Sequence, residues 1–157
     1  MSSLRATSAV AVGAAALLLP TSVIASPPTE GSGSGTIVVR AITESRQADG
    51  NVIQERQIDG VVTGTFVGTY VETVRGVVHK DGTVEFHGVM TFTGVAGDCG
   101  VGTVQIELEG KAISGAPSAE GRLRVIDQGS NTVKIHGIGT FRQFATFFTY
   151  AGQFHCD

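Results

Sequence analysis

The sequence predicts an all-β protein, a single eight-stranded antiparallel β-barrel. Three observations lead there. After the first 25 residues, no stretch keeps a helical hydrophobic period over three turns. Short runs rich in Val, Ile, Thr and Phe recur instead, alternating apolar with polar as half-buried strands do. Between them stand "ADGN", "KDGT", "GDCG", "SGAPS" and "DQGSN", all of turn composition. Evenly spaced strands joined by short turns in one small domain favour a barrel or a sandwich.

The chain opens with Arg5, an apolar stretch from Ala9 to Leu19, Pro20, and the small-residue run "SVIA" ending at Ala25. This order reads as a secretory signal over 1–25, cut between Ala25 and Ser26. Eleven apolar residues are too few to cross the roughly 30 Å hydrocarbon core as a helix. The protein is therefore expected to be secreted or held in the cell envelope, and not to span a membrane. "SPPTEGSGSG", 26–35, is made of chain-loosening residues and reads as a disordered linker. The barrel domain is expected over 36–157. Without Arg5 the chain carries fourteen acids against ten bases and no basic run, which excludes nucleic acid as a partner.

Cys99 and Cys156 are an even pair in an exported chain, and the expected pairing is a disulfide. A reactive thiol and a metal site are the alternatives. The neighbours His155 and Cys156 point to opposite faces of a strand, which disfavours chelation. No metal and no cofactor are expected.

Strands are expected at 36–43, 52–58, 62–79, 83–94, 102–111, 119–127, 132–141 and 146–155. The "KDG" turn fixes the register of one hairpin. A two-residue turn would set apolar faces against polar ones. A three-residue loop with Gly82 in the left-handed region pairs Val78 with Val84, Gly76 with Phe86 and Val74 with Gly88. It also sets Glu72 against Met90 and Tyr70 against Phe92. One face then holds Val84, Phe86, Gly88, Met90 and Phe92, and the other holds Thr83, Glu85, His87 and Thr91. Gly64, Gly68, Gly76 and Gly88 fall on the inward face, and Gly137 and Gly139 alternate with Val133, Ile135 and Phe141. Inward glycines remove volume where strands curl and leave room for neighbouring rings, which a closing barrel needs and a flat sheet does not.

Together "GTFVGTY", "DGTVEFHGVMTFTG", "GIGTF" and "YAGQFH" resemble a bacterial family of barrel proteins related to allene oxide cyclases, distantly dirigent-like. The likeness covers about 60 to 157 and rests on glycine–aromatic spacing. It implies an eight-stranded, calycin-like barrel whose lumen can hold an apolar small molecule. No catalytic motif of those cyclases is matched residue by residue, so none is transferred.

Glu72 is the most informative single residue, because the register buries it between Tyr70 and Val74. A buried carboxylate without a donor tends to keep its proton. With Tyr70 it can act as a general acid or a polar anchor; a wet rim position, or a hydrogen bond to Tyr70 or Tyr150, is the alternative. Tyr70, Glu72, Met90, Phe92 and Tyr150 are the candidate ligand-lining residues. His79 and His87, with Glu85 and Arg75, form an outer polar patch, and His136 and His155 are expected at the surface. Glu107 and Glu109 share an exposed face. No G-x-S-x-G or phosphate loop is present. The expected function is binding of an apolar small molecule in the lumen. A cyclase or isomerase, or a structural protein with a filled barrel, are the alternatives. Lumen volume discriminates among them.

Overall fold

The computed structural model describes residues 27–157; the signal segment expected over 1–25 lies outside them. Eight strands form a closed barrel in which each pairs with its sequence neighbours and β1 pairs with β8. In order they are β1 (Thr29–Ala48), β2 (Asn51–Gly64), β3 (Phe66–Val78), β4 (Thr83–Ala96), β5 (Val101–Ile113), β6 (Ser118–Ile126), β7 (Ile135–Phe144) and β8 (Phe147–Cys156). All pairings are antiparallel. No helix among the described residues is long and apolar enough to cross a membrane.

The β3–β4 hairpin has the register expected from its alternation, from Val78 opposite Val84 to Tyr70 opposite Phe92. Gly82 sits at φ 85°. Its amide donates to the His79 carbonyl at 2.9 Å, and the Asp81 side chain accepts from the Thr83 amide at 2.8 Å. The β1–β2 turn is tighter: Asp49 and Gly50 both have positive φ, as a two-residue hairpin loop requires.

Besides β1, which runs on to Ala48 rather than ending at 43, three larger differences from expectation stand out. The run 62–79 is not one strand, because Gly64, at φ 102°, turns a corner into Thr65. The corner is held by paired bonds, Thr65 N to Ser32 O at 2.9 Å and Ser32 N to Thr65 Oγ1 at 3.0 Å. β7 starts at Ile135 rather than 132. The preceding loop folds back on β5 instead, where Asn131 and Thr132 side chains accept the amides of Gln105 and Thr103.

The third difference is the linker. From Thr29 onward it is strand, paired with β8 from Thr29 opposite Phe154 to Thr36 opposite Phe147. "GSGSG" alternates like any strand, with Gly33 opposite Tyr150 and Gly35 opposite Phe148. A Cβ on Gly35 would meet the Phe148 ring, and one on Gly33 the Tyr150 ring. The rings of β8 thus reach over a stretch of strand that has no side chains on that face.

The barrel has two unlike ends. Phe66, Phe92, Tyr150 and Phe154 fill the end beneath the β2–β3 corner, with Phe66 edge-on to Phe92 at 5.3 Å and to Phe154 at 5.2 Å. Such pairs add about 0.5–1.5 kcal/mol each beyond their buried area. Cys99, in a short 3-10 turn between β4 and β5, is bonded to Cys156 at the end of β8, with Cα atoms 5.3 Å apart. The bond indicates an oxidising environment. At the other end β8 stops at Phe147, so β1 beyond Ile37 has no β8 partner. Two bulges, at Val38 and Thr43, and the charges of Arg40, Glu44 and Arg46 blunt that free edge.

Two outcomes test this description. Gly82→Val is expected to destabilise the protein by about 1–2 kcal/mol in urea unfolding, from backbone strain alone. Nothing lies within 4 Å of the missing Cβ, so no clash contributes. A Gly82→Val protein as stable as the parent contradicts the turn. Replacing Cys99 and Cys156 with Ser opens a closure spanning 57 residues, which is expected to cost about 4 kcal/mol by chain entropy. Equal denaturation midpoints for the two proteins contradict that estimate.

Candidate functional site

Above the aromatic floor the lumen holds a cavity of about 410 Å³. Tyr70, Glu72, Met90, Phe92 and Tyr150 all line it, so the five residues singled out by sequence converge on one space. They do not contribute alike. Phe92 is fully buried in the floor. The Tyr150 hydroxyl is committed to the fold: it accepts from the Phe66 amide at 2.9 Å and donates to the Thr63 carbonyl at 3.1 Å. Tyr150 is therefore a strut for the β2–β3 corner that shows the cavity only its ring.

Glu72 lies mid-strand in β3, between Ile58 of β2 and Met90 of β4, and is 8% exposed. Its carboxyl group extends over Gly88, where a Cβ would come within 2.7 Å of Oε1. Burial pushes this carboxyl up to about 7 from its ordinary 4.5, against the weaker downward pull of the Arg40 guanidinium. No hydrogen bond contributes to that balance. Tyr70 is 3% exposed, packs edge-on to Phe148 at 5.9 Å, and places its hydroxyl over Gly60. Burial, and then the negative charge of Glu72, push its pKa upward, so it remains a neutral donor. Tyr70 and Glu72 share a face and act on each other by charge, without a hydrogen bond between them.

Sequence alternation left several polar lining residues unmarked, among them Arg40, Gln54 and Arg56. Gln54 and Arg56 follow from the β2–β3 register, which sets them opposite the inward Gly76 and Val74. Arg40 does not follow from alternation. Ile37 faces inward, and simple parity would send Arg40 outward. The bulge at Val38 shifts the parity by one, setting Arg40 opposite inward Ile58.

The histidines are at the surface, as expected. His79 approaches Glu85 at 3.6 Å, and Lys111 binds the other oxygen of Glu85 at 3.0 Å. His87 meets Glu107 at 2.9 Å, and Arg124 Nε donates to Glu107 at 3.0 Å. These partners hold the Glu85 and Glu107 carboxyls below their ordinary range. Glu107 and Glu109 thus belong to a cross-strand charge lattice rather than an acid–base pair, for Glu109 lies between His87 and Arg122. His136 and His155 stack with ring centres 5.5 Å apart, and His136 contacts Asp157 at 2.7 Å.

Compared with known proteins, the chain matches no family model and no curated protein.

The Glu72 carboxyl makes stability depend on pH with a definite sign. Its folded pKa lies above its ordinary value, so its contribution is complete below about 4.5 and is lost as pH rises through about 7. Above that, holding the ionised group costs on the order of 3 kcal/mol. In urea unfolding from pH 5 to pH 8, the stability of Glu72→Gln minus that of the parent is expected to grow by that amount. A difference that stays flat with pH contradicts the burial argument.

Proposed function

We propose that this protein is an exported binding barrel that carries an apolar small molecule in its lumen. The observation that supports this most directly is the unfilled cavity in the lumen. About 410 Å³ lies within the size range of small-molecule sites, and a barrel with a purely structural role gains nothing from leaving it unfilled. Within it, Tyr70 and Glu72 are among the polar groups able to orient a ligand against Met90, Phe86 and Leu108. The disulfide agrees with export, and a signal at 1–25 cut after Ala25 supplies the route. The resemblance to allene-oxide-cyclase-like barrels fits the same use of the fold.

A second reading, a cyclase or isomerase, is favoured by one observation. A carboxyl whose pKa is about 7 is matched to proton transfer at neutral pH. The two readings separate at Glu72. In a cyclase, Glu72→Gln abolishes turnover while the substrate still binds; in a carrier, it changes retention alone.

Native mass spectrometry of protein taken from its own host is expected to show a retained small molecule. Glu72→Gln is expected to weaken retention about tenfold, equivalent to about 1.4 kcal/mol, while the barrel stays folded. Protein that is recovered empty, and that does not bind the neutral apolar dye N-phenyl-1-naphthylamine, overturns the proposal.

A further inference from the structure

The lumen is apolar over most of its wall, yet β1 and β2 present two guanidiniums to it, Arg40 and Arg56. Among the described residues neither forms an ion pair. The salt bridges involve Arg46, Lys111, Arg124 and three histidines, all on the outer surface. Arg56 Nη2 donates to Gln54 Oε1 at 2.6 Å, a neutral partner that orients the group without cancelling its charge. The two cations are close enough to feel each other. Burial, and then the positive charge of Arg40, lower the pKa of Arg56.

The one carboxyl in the cavity is Glu72, and it does not neutralise them. Arg40 influences it through space, with no ion pair formed. At pH 6 Glu72 is mostly protonated, so the wall carries two positive charges and no negative one. Arg56 is half-buried without a counter-charge, which is costly, and with the exposed Arg40 near it the pair favours a ligand that brings the missing charge. Position adds to the argument. Arg40 stands where β1 has lost its β8 partner, and Arg56 lies one inward position further from the floor on β2, so both guanidiniums belong to the open half of the barrel.

We propose that the lumen selects an amphipathic organic anion, with its head group held between Arg40 and Arg56 and its apolar body packed against Met90, Phe86 and Leu108. The inference rests on reading the lumen as a ligand site. It makes Arg40, turned inward by the bulge at Val38, a specificity-determining residue. A guanidinium pair suits a carboxylate or a sulfate, whose oxygens accept two or more N–H groups at once.

The test uses three probes with one apolar body and different heads: decanoate, decanol and decylammonium. Each competes at pH 6 with N-phenyl-1-naphthylamine bound to the full chain. Decanoate is expected to displace the dye at a concentration at least about tenfold lower than decanol, and decylammonium to be the weakest. Arg40→Gln and Arg56→Gln are each expected to reduce the preference for decanoate over decanol, and the double variant to abolish it with decanol affinity unchanged. Arg40→Lys is expected to keep part of the preference. Thermal unfolding confirms that each variant is folded, and Arg40, being exposed, makes the single variant safe in that respect. Equal affinities of the parent for decanoate and decanol overturn the inference but leave the binding barrel standing. So does a preference that survives in the folded double variant. Failure of the dye and of all three probes to bind overturns both.

Discussion

The barrel depends on rings lying across glycines. β1 closes against β8 over eight residue pairs, and within them Gly33 and Gly35 are opposite Tyr150 and Phe148 while Gly31, opposite Gly152, lies under the Phe154 ring. A glycine face cannot bury itself, since it has no side chain to remove from water. Tyr150 and Phe148 cover it from the neighbouring strand, and Tyr70 does the same over Gly60 of β2. The arrangement gives two things at once. The strand can bend sharply enough to close a small barrel, and its exposed backbone is shielded by apolar area that would otherwise project into the lumen. Where rings meet near the β2–β3 corner they fill the barrel. Where they reach over wall glycines instead, as Phe148 does over Gly35 and Tyr70 over Gly60, a cavity remains beside them. Floor and cavity therefore follow from the same device, used at different densities along the axis.

This device also explains what could be read from the sequence. The β3–β4 register was legible because both strands carry strict alternation and the turn has a glycine that fixes loop length. Once Val78 is opposite Val84, the placement of Glu72 and Tyr70 follows by parity. The disulfide was legible from compartment and count alone. Thr29 to Gly35 were not, because a strand whose inward residues are glycines shows no hydrophobic period; "GSGSG" has the composition of a linker and the alternation of a strand. The information about its burial lies elsewhere in the chain, in the aromatics of "FFTYAGQF". Arg40 was hidden for a different reason. A bulge alters parity without a marker residue, and Val38 looks like any strand valine. Gly64 stood in plain view, but an inward glycine and a corner glycine have the same letter. Its positive φ and the bonds from Ser32 to Thr65 set it apart.

The cost of Glu72 bears on what the cavity is for. The fold does not need a carboxyl group there. Neighbours on the same face are Tyr70 and Val74, the cross-strand partners are Ile58 and Met90, and a neutral side chain of equal size would satisfy all of them. Gly88 gives the group its room, since any side chain at that position would crowd Oε1 and the Val74 methyl. A position that spends stability on an ionisable group, with a glycine diagonally across the strand pair to accommodate it, is more economically explained by chemistry in the lumen than by packing.

The distribution of rigidity along the barrel fits a container with one working end. At the floor, four aromatic residues, the Tyr150 hydroxyl and the Cys99–Cys156 bond tie β2, β3, β4 and β8 together. At the mouth the last link between β1 and β8 is a single bond, Ile37 N to Thr146 O at 2.8 Å, beyond which the upper half of β1 pairs with β2 alone. Strand edges held on one side open at lower free energy than strands paired on both. Motion is thus expected to concentrate at the seam between Ile37 and Thr146, at the edge of the cavity they both line. Arg40 and Glu72 lie in one cross-strand row through Ile58, and Arg56, opposite Val74, lies one inward position further from the floor, so the charged groups of the wall are gathered in the half of the barrel whose seam is least held.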